Sequence, residues 1–456
     1  MPSLETAEPK PDVSLSPGPL LGHRPFLVLW LVQTLSQTSQ NAVNFGLLVL
    51  VQGVIERAGT FPVNTAVGLA VLSFSVPAVL VSPLSGVVAD RFDRRTLLIL
   101  TNFLRGAAVI GLLFVEARWN PLVALAVIYL LAFASGTVGQ FFGPALWSML
   151  PSVVPNGRLV QANALFNLTF TASQLAGFAV VGPLLVKLVG VQSVLAGTVV
   201  LFALGGLLSV ALPRAQRNGH DGSAGARDVA RQVLREMLDG LRLAGGQRLL
   251  RKAIAYLAVA TATYLVIAAL GPGYVTQVLD LAKEDIAYLV LPAGIGVVLG
   301  TLTVDPITRR VGIERTADLA LAVGGVLLVA LAGLPELFGT SRSELAAAVV
   351  LAALLGMADG LVRAPAQALL QQEAPEEARG RVFAVFFTVS NSVAFLPVFG
   401  AGALADAFGV TTVLFGLGAL LAVAGIWQIS ARRRRARPAG AGGRAPDGAV
   451  PPRSRD

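Results

Sequence analysis

Cysteine is absent from the 456 residues, which excludes disulfides, thiolate metal sites and cysteine nucleophiles. Histidine is nearly absent. His23 and His220 stand alone, both outside the apolar runs, so they support neither a metal site nor a catalytic triad. No G-x-x-x-x-G-K-[ST] phosphate loop occurs, which argues against ATP as an energy source. Charge is scarce as well: only 13% of residues are Asp, Glu, Lys or Arg, against roughly one quarter in soluble domains. An enzyme is not expected, and the sequence calls for no cofactor and no metal.

What the chain has in abundance is apolar sequence, 55% of residues. Runs long enough to cross ~30 Å of hydrocarbon as a helix, about 20 residues each, recur twelve times. They cover 25–53, 64–89, 96–117, 121–149, 159–187, 190–212, 253–279, 285–308, 315–334, 344–371, 381–405 and 409–430. Stretches such as LVALAVIYLLAFASG have no polar stripe, which a helix on the surface of a soluble core would need. The expected fold class is an all-α membrane protein of twelve transmembrane helices, in two pseudo-symmetric bundles of six.

Orientation follows from the basic residues. With the N-terminus inside, the cytoplasmic segments hold 28 of the 35 Lys and Arg. The outer connections hold only Arg57, Arg118, Lys187, Lys283 and Arg342, and two arginines, Arg105 and Arg363, lie inside spans. This asymmetry places both termini in the cytoplasm, and the expected location is a bacterial plasma membrane. The net charge of +9 is then explained by basic loops and a basic tail facing an anionic leaflet, and no nucleic-acid partner is expected. Residues 1–24 are polar and Pro-rich, with no basic leader before a short apolar run; no cleaved signal is expected.

The one long connection, 213–252, separates a first bundle (25–212) from a second (253–430). It carries Val229, Val233, Met237 and Leu241 at helical spacing, which predicts an amphipathic helix on the membrane surface. Residues 431–456 read as a basic disordered tail. The halves echo each other. Asp90-Arg91-Phe92-Asp93-Arg94-Arg95 after the second span matches Asp305-Pro306-Ile307-Thr308-Arg309-Arg310 after the eighth. Parallel repeats of this kind suit two bundles that rock about a midplane site.

Gly86, Asp90, Arg91, Arg94 and Arg95 fit G-x-x-x-D-R-x-x-R-R. In this loop of a six-plus-six chain, the sequence resembles the major facilitator superfamily of secondary transporters, over residues 20–430. LVQANALFN (159–167) and RGRVFAVFFTVSNSVAFLP (379–397) are similar to the branch of macrolide, enterobactin and lysophospholipid transporters. The resemblance implies alternating access, a central cavity lined by helices 1, 4, 7 and 10, and a cytoplasmic gate. In that gate Asp90 would face the start of helix 11, near Gly380 and Arg381, as a carboxylate against a helix N-terminus.

Charge or amide within a span needs a reason. Asp359 is the one carboxylate placed deep in a span, four residues before Arg363, so the two share a face and can pair. Two readings stand: a proton carrier tuned by Arg363, or a permanent ion pair that fixes helix 10. Gln33, Gln37, Gln40, Asn41 and Asn44 recur at three- and four-residue spacing in helix 1. They serve as a substrate-cavity lining or as interhelical glue. Arg105 is a partner for carbonyls and polar groups, or an attractant for an anionic substrate. Gly271-Pro272-Gly273 and Pro397 with Gly400 mark kinks or gating points, and Gly182-Pro183 resembles the start of the G-P-x-x-G-G that ends the antiporter motif, followed here by Leu184, Leu185, Val186 and Lys187.

The expected function is proton-coupled efflux of a small amphipathic organic compound such as a drug, macrolide or siderophore-like molecule, by a monomer in the lipid bilayer. Alternatives of the same fold are a lysophospholipid flippase or an uptake symporter. A non-transporting receptor or scaffold is the alternative of a different class.

Overall fold

The structure, a computed structural model, describes residues 18–59, 62–81, 85, 88, 92–115, 118–154, 158–174, 177, 182–214, 235, 238–239, 241–243, 245–338, 342–373 and 379–436. Helices fall on all twelve expected intervals. The first half contains α1 (Arg24–Ala58), α2 (Val63–Leu80), α3 (Arg94–Leu113), α4 (Pro121–Val153), α5 (Leu159–Gln174) and α6 (Gly182–Ser209). The second contains α7 (Arg248–Gln277), α8 (Ala287–Leu302), α9 (Ile313–Ala332), α10 (Arg342–Glu373), α11 (Arg379–Phe408) and α12 (Val410–Ala436).

Local chemistry sets the ends of these helices. Asp93 caps α3, its Oδ2 accepting from the Thr96 N–H at 3.2 Å and from Thr96 Oγ1 at 2.8 Å. Asn120 caps α4 ahead of Pro121, a residue suited to the first helical position. Gly59 closes α1 at φ 68°, a left-handed conformation that costs glycine little. In α6 the helix is interrupted at Gly190, φ 82°, so Gly182–Val189 ends the fifth span and the sixth begins beyond it. The eighth span is bent by 51° between α8 and the short helix Val304–Val311. That short helix carries Asp305, Arg309 and Arg310, all exposed.

Among the described residues nine helices are long and apolar enough to cross a membrane, ten if the bent pair counts as one span. α1, at 35 residues, is not among the nine; its amide-rich middle lowers its hydropathy. Large apolar side chains face outward, among them Leu396 at 74% and Leu302 at 71% exposure. In water such a surface would aggregate, whereas in a bilayer it meets lipid.

The packing repeats between halves. α3 lies on α4 and α6 as α9 lies on α10 and α12, and α2 lies on α4 as α8 lies on α10. The α8–α10 contact is built from glycine. A Cβ on Gly356 would stand 1.8 Å from the Ala293 carbonyl oxygen, and one on Gly296 would stand 1.9 Å from that of Ala353. Gly296 and Gly300, facing Gly356 and Gly360, give each helix the small-xxx-small spacing that lets membrane helices approach closely. The halves meet where α2 packs on α7 and α11. There Val67, Ala70, Val398 and Tyr274 share one buried cluster.

Three expected boundaries shift. The folded chain begins before residue 25: Gly18–Leu21 forms a helical turn, and Leu20 is buried with Phe26 and Leu29. α7 starts at Arg248 inside the expected linker, with Leu250 fully buried. α12 runs to Ala436, so the first residues of the expected disordered tail are helical. Arg432 is docked against Glu314 and Asp318. Val229, Val233 and Met237 of the expected amphipathic helix lie outside the described residues; Leu238 and Leu241 are described and exposed.

Candidate functional site

A cavity of about 240 Å³ lies within the first half. α1 contributes Gln33, Gln37, Gln40 and Asn44, α3 contributes Arg105, and α4 contributes Gln140 and Trp147. The four α1 positions are spaced four, three and four apart, the pattern that holds side chains on one helix face. The amide stripe is therefore a cavity wall, except at Asn41. Asn41 turns instead toward the fifth span: its Nδ2 donates to Gln37 O at 2.9 Å, and a Cβ on Gly177 would stand 2.7 Å from its Cβ. α7 and α10 contribute no lining residue, which corrects the expected four-helix lining for this cavity.

Gln33 is 1% exposed and donates through Nε2 to Phe166 O at 2.8 Å. Gln40 donates to Asn44 Oδ1 at 3.0 Å. The Oε1 atoms of both Gln33 and Gln40 are buried and accept nothing. Arg105 is 2% exposed. Its Nε donates to Thr101 O at 3.1 Å and its Nη2 to Asn102 Oδ1 at 3.2 Å, while Phe142 and Phe202 lie over the guanidinium at 4.4 and 4.8 Å. Arg105 thus bonds its own helix, as the structural reading expected, and also lines the cavity.

In the second half, Arg363 Nε donates to Asp359 Oδ2 at 2.6 Å, and Arg363 Nη2 to Ala260 O of α7 at 2.8 Å. Tyr264 of α7 lies 5.8 Å from the guanidinium. Both charged side chains keep somewhat over a quarter of their surface exposed. The expected pair therefore forms and ties α10 to α7, but it does not line the first-half cavity.

Of the loop signature, Gly86, Asp90 and Arg91 lie outside the described residues. Arg94 Nη1 donates to Ser148 O at 2.7 Å, which staples α3 to α4 within the first half. Arg95 sits half-buried on the first turn of α3.

Two groups of residues escaped the sequence reading. Asp406, near the end of α11, accepts from the backbone N–H of Asn64 at 3.0 Å and of Thr65 at 2.7 Å, and from Asn64 Nδ2 and Thr65 Oγ1 at 2.9 and 2.6 Å. The first turn of α2 has no side-chain cap of its own, because Pro62 stands at its N-cap. A carboxylate from the other half therefore caps it. Lys187 and Asp285, 2.5 Å apart, join the halves at the same end. The signal was present: Gly402-Ala403-Leu404-Ala405-Asp406-Ala407-Phe408 repeats the G-x-x-A-D-x-F of Gly86-Val87-Val88-Ala89-Asp90-Arg91-Phe92.

The second group corrects the view of Asp359 as the one deep carboxylate. Asp318 of α9 is fully buried. It bonds Tyr256 Oη and pairs with Arg432 Nη2 at 3.0 Å. Arg432 also pairs with Glu314, which Lys252 meets at 2.6 Å. Two acids and two bases balance, so the cluster ties α7, α9 and α12 together without net charge.

The sequence profile of the Major Facilitator Superfamily matches residues 29–398. The chain belongs to the Major Facilitator Superfamily. Among curated superfamily members it is 26% identical over 367 residues to the uncharacterized MFS-type transporter YfiS of Bacillus subtilis (strain 168), covering 78% of this chain and 82% of that one. It is 25% identical over 374 residues to the multidrug efflux pump Tap of Mycolicibacterium fortuitum, covering 79% and 86%. Among solved structures it superposes on the nucleoside transporter NupG with a TM-score of 0.67 at 14% identity, covering 89% of this chain and 98% of that one. With a POT family transporter in complex with 5-aminolevulinic acid the TM-score is 0.69 at 11% identity, covering 91% and 97%. These superfamily members are transporters, so this chain is a multi-pass membrane transporter fold for a small-molecule substrate.

Proposed function

We propose that this superfamily member is a monomeric secondary active exporter in a bacterial plasma membrane, with both termini cytoplasmic. It would move a small amphipathic organic compound by alternating access, in exchange for protons. The observation that carries the reading is the set of contacts that closes one end of the molecule. Asp406, Lys187 and Asp285 join the halves at one end, the end that the arginine distribution assigns to the outside. Closure on that side, with a polar cavity in the first half, is what an inward-facing step of transport requires. The efflux direction is supported by the resemblance in sequence to Tap.

Asp359 is the proposed proton carrier. Its carboxylate is partly exposed and its partner Arg363 is held by an α7 carbonyl, so a shift of α7 against α10 would loosen the pair. The test uses inverted vesicles carrying the protein, an imposed pH gradient and a panel of fluorescent dyes. Wild type should accumulate a dye on acidification of the lumen. Asp359→Asn should bind dye but lose at least about tenfold in gradient-driven uptake, the loss expected of a step that depends on one group. Equal uptake by the variant would remove Asp359 from coupling, and a wild type that moves no dye under any gradient would remove the exporter reading.

A further inference from the structure

Arg105 carries a charge that nothing among the described residues balances. The guanidinium is 2% exposed and sits midway along α3 in a membrane span, where an uncompensated charge costs several kcal/mol. It makes no ion pair, and the groups that meet it are a backbone carbonyl, the Asn102 amide and two aromatic faces. The cavity it lines contains five amide side chains and no carboxylate. The second half neutralises a half-buried arginine in another way, with Asp318 and Glu314 against Arg432. A planar guanidinium with donors to spare matches a carboxylate or phosphate fork.

A second observation points into the same cavity from α1. The orientation of Gln33 is fixed, because the Phe166 carbonyl can only accept, so Nε2 must face it and Oε1 must face away. That Oε1 is buried and has no donor, which is itself unfavourable by an amount comparable to a lost hydrogen bond. One buried cation and one buried acceptor thus face a common space with Trp147 and Phe170 on its wall.

We propose that the first-half cavity is a subsite for an organic anion that also carries an O–H or N–H donor. The anionic group sits against Arg105, the donor bonds Gln33 Oε1, and a flat apolar body stacks on the aromatic wall. The proposal rests on the transporter reading but names what that reading leaves open: the substrate is an anion with a donor, and a lipophilic cation is disfavoured by Arg105.

Three coumarins of nearly one shape separate the parts of the claim: 7-hydroxycoumarin-3-carboxylate, its neutral ethyl ester, and 7-methoxycoumarin-3-carboxylate, which lacks the donor. Binding to the full-length protein in lipid nanodiscs is read by fluorescence anisotropy at pH 6. The hydroxy acid should bind roughly tenfold or more tightly than the ester, as expected for one charge-assisted contact in a dry site. It should also bind more tightly than the methoxy acid. Arg105→Gln should abolish the preference for acid over ester, and Gln33→Met should abolish the preference for hydroxy over methoxy. Gly143→Leu should weaken all three, since a Cβ at Gly143 meets nothing within 4 Å and Gly143 lines the cavity.

If Arg105→Gln fails to fold, the wild-type ratios still decide. An ester that binds wild type as tightly as the acid overturns the proposal, as does failure of all three probes to bind at 1 mM, a concentration at which even ~4 kcal/mol of affinity would register. Gradient-driven transport is a separate readout. Acid-selective binding without any transport would keep the subsite and sink the exporter, whereas transport with no charge preference in binding would do the reverse.

Discussion

Removing the Asp406 carboxylate should release the end of the molecule that is closed in this structure. Asp406 takes four hydrogen bonds from the first turn of α2, two of them from backbone N–H groups. Because Pro62 offers no cap, Asp406→Ala removes the equivalent of an N-cap, about 1 kcal/mol, together with a charge at a helix N-terminus, about 0.3–1 kcal/mol. Asp406 is exposed, so the freed donors are rehydrated and no burial penalty is added. The sum, about 1.3–2 kcal/mol, corresponds to a shift of about 10- to 30-fold in the ratio of closed to open at this end. The absence of cysteine makes the assay direct, because two introduced cysteines are the only labelling sites. Spin labels at Arg57→Cys and Glu336→Cys, exposed positions on opposite halves, report the separation by pulsed electron resonance. Asp406→Ala should convert a short distance into a mixture dominated by a longer one, with Asp406→Asn between the two. A distribution that matches wild type within twofold in population would refute the claim that Asp406 holds this end shut.

Asp90 on the proposed cytoplasmic gate should act in the opposite sense: Asp90→Ala favours the state closed at the outside and slows turnover without abolishing substrate binding. The double variant Asp90→Ala, Asp406→Ala should return toward the wild-type distance distribution, because sites so far apart contribute independently; a double variant more open than Asp406→Ala alone would contradict it. Gly356→Val should break the α8–α10 contact, since its Cβ would meet the Ala293 carbonyl at 1.8 Å and overpacking costs about 1–3 kcal/mol or more. Its Tm in detergent should fall by several degrees while Gly416→Ala, at a position with nothing within 4 Å, stays near wild type; equal Tm values would mean the helices part without cost.

The twelve helices were legible because lipid imposes a length and an all-round apolarity that few other environments share. The amide stripe of α1 was legible because helical periodicity sorts Gln33, Gln37, Gln40 and Asn44 to one face. Asn41 was misplaced because a three- and four-residue spacing admits it to the same stripe, and only the packing of α1 on the fifth span turns it away. Asp359 and Arg363 were readable as an i, i+4 pair. The partners of Arg432 were not, because Glu314 and Asp318 lie more than a hundred residues away in sequence and meet it through tertiary packing alone. The same limit hid the cap that Asp406 provides, although its local pattern is a copy of the one around Asp90.

That copy has a physical consequence. G-x-x-A-D-x-F closes α11 and follows α2 in the sequence, and the two helices pack against each other across the halves. At the described end, the α11 carboxylate caps the N-terminus of α2. The mirror arrangement at the other end, on our proposal, has Asp90 of the second span capping the N-terminus of α11. Two halves that rock about a midplane open one end as they close the other, so each end state would form one cap and break the other. Each carboxylate cap supplies about 0.3–1 kcal/mol, more where partly buried, so a cap gained in one state offsets much of the cap lost from the other. A bound substrate then needs only a few kcal/mol of differential affinity to choose between them, and Arg105 is placed to supply it from inside the first half.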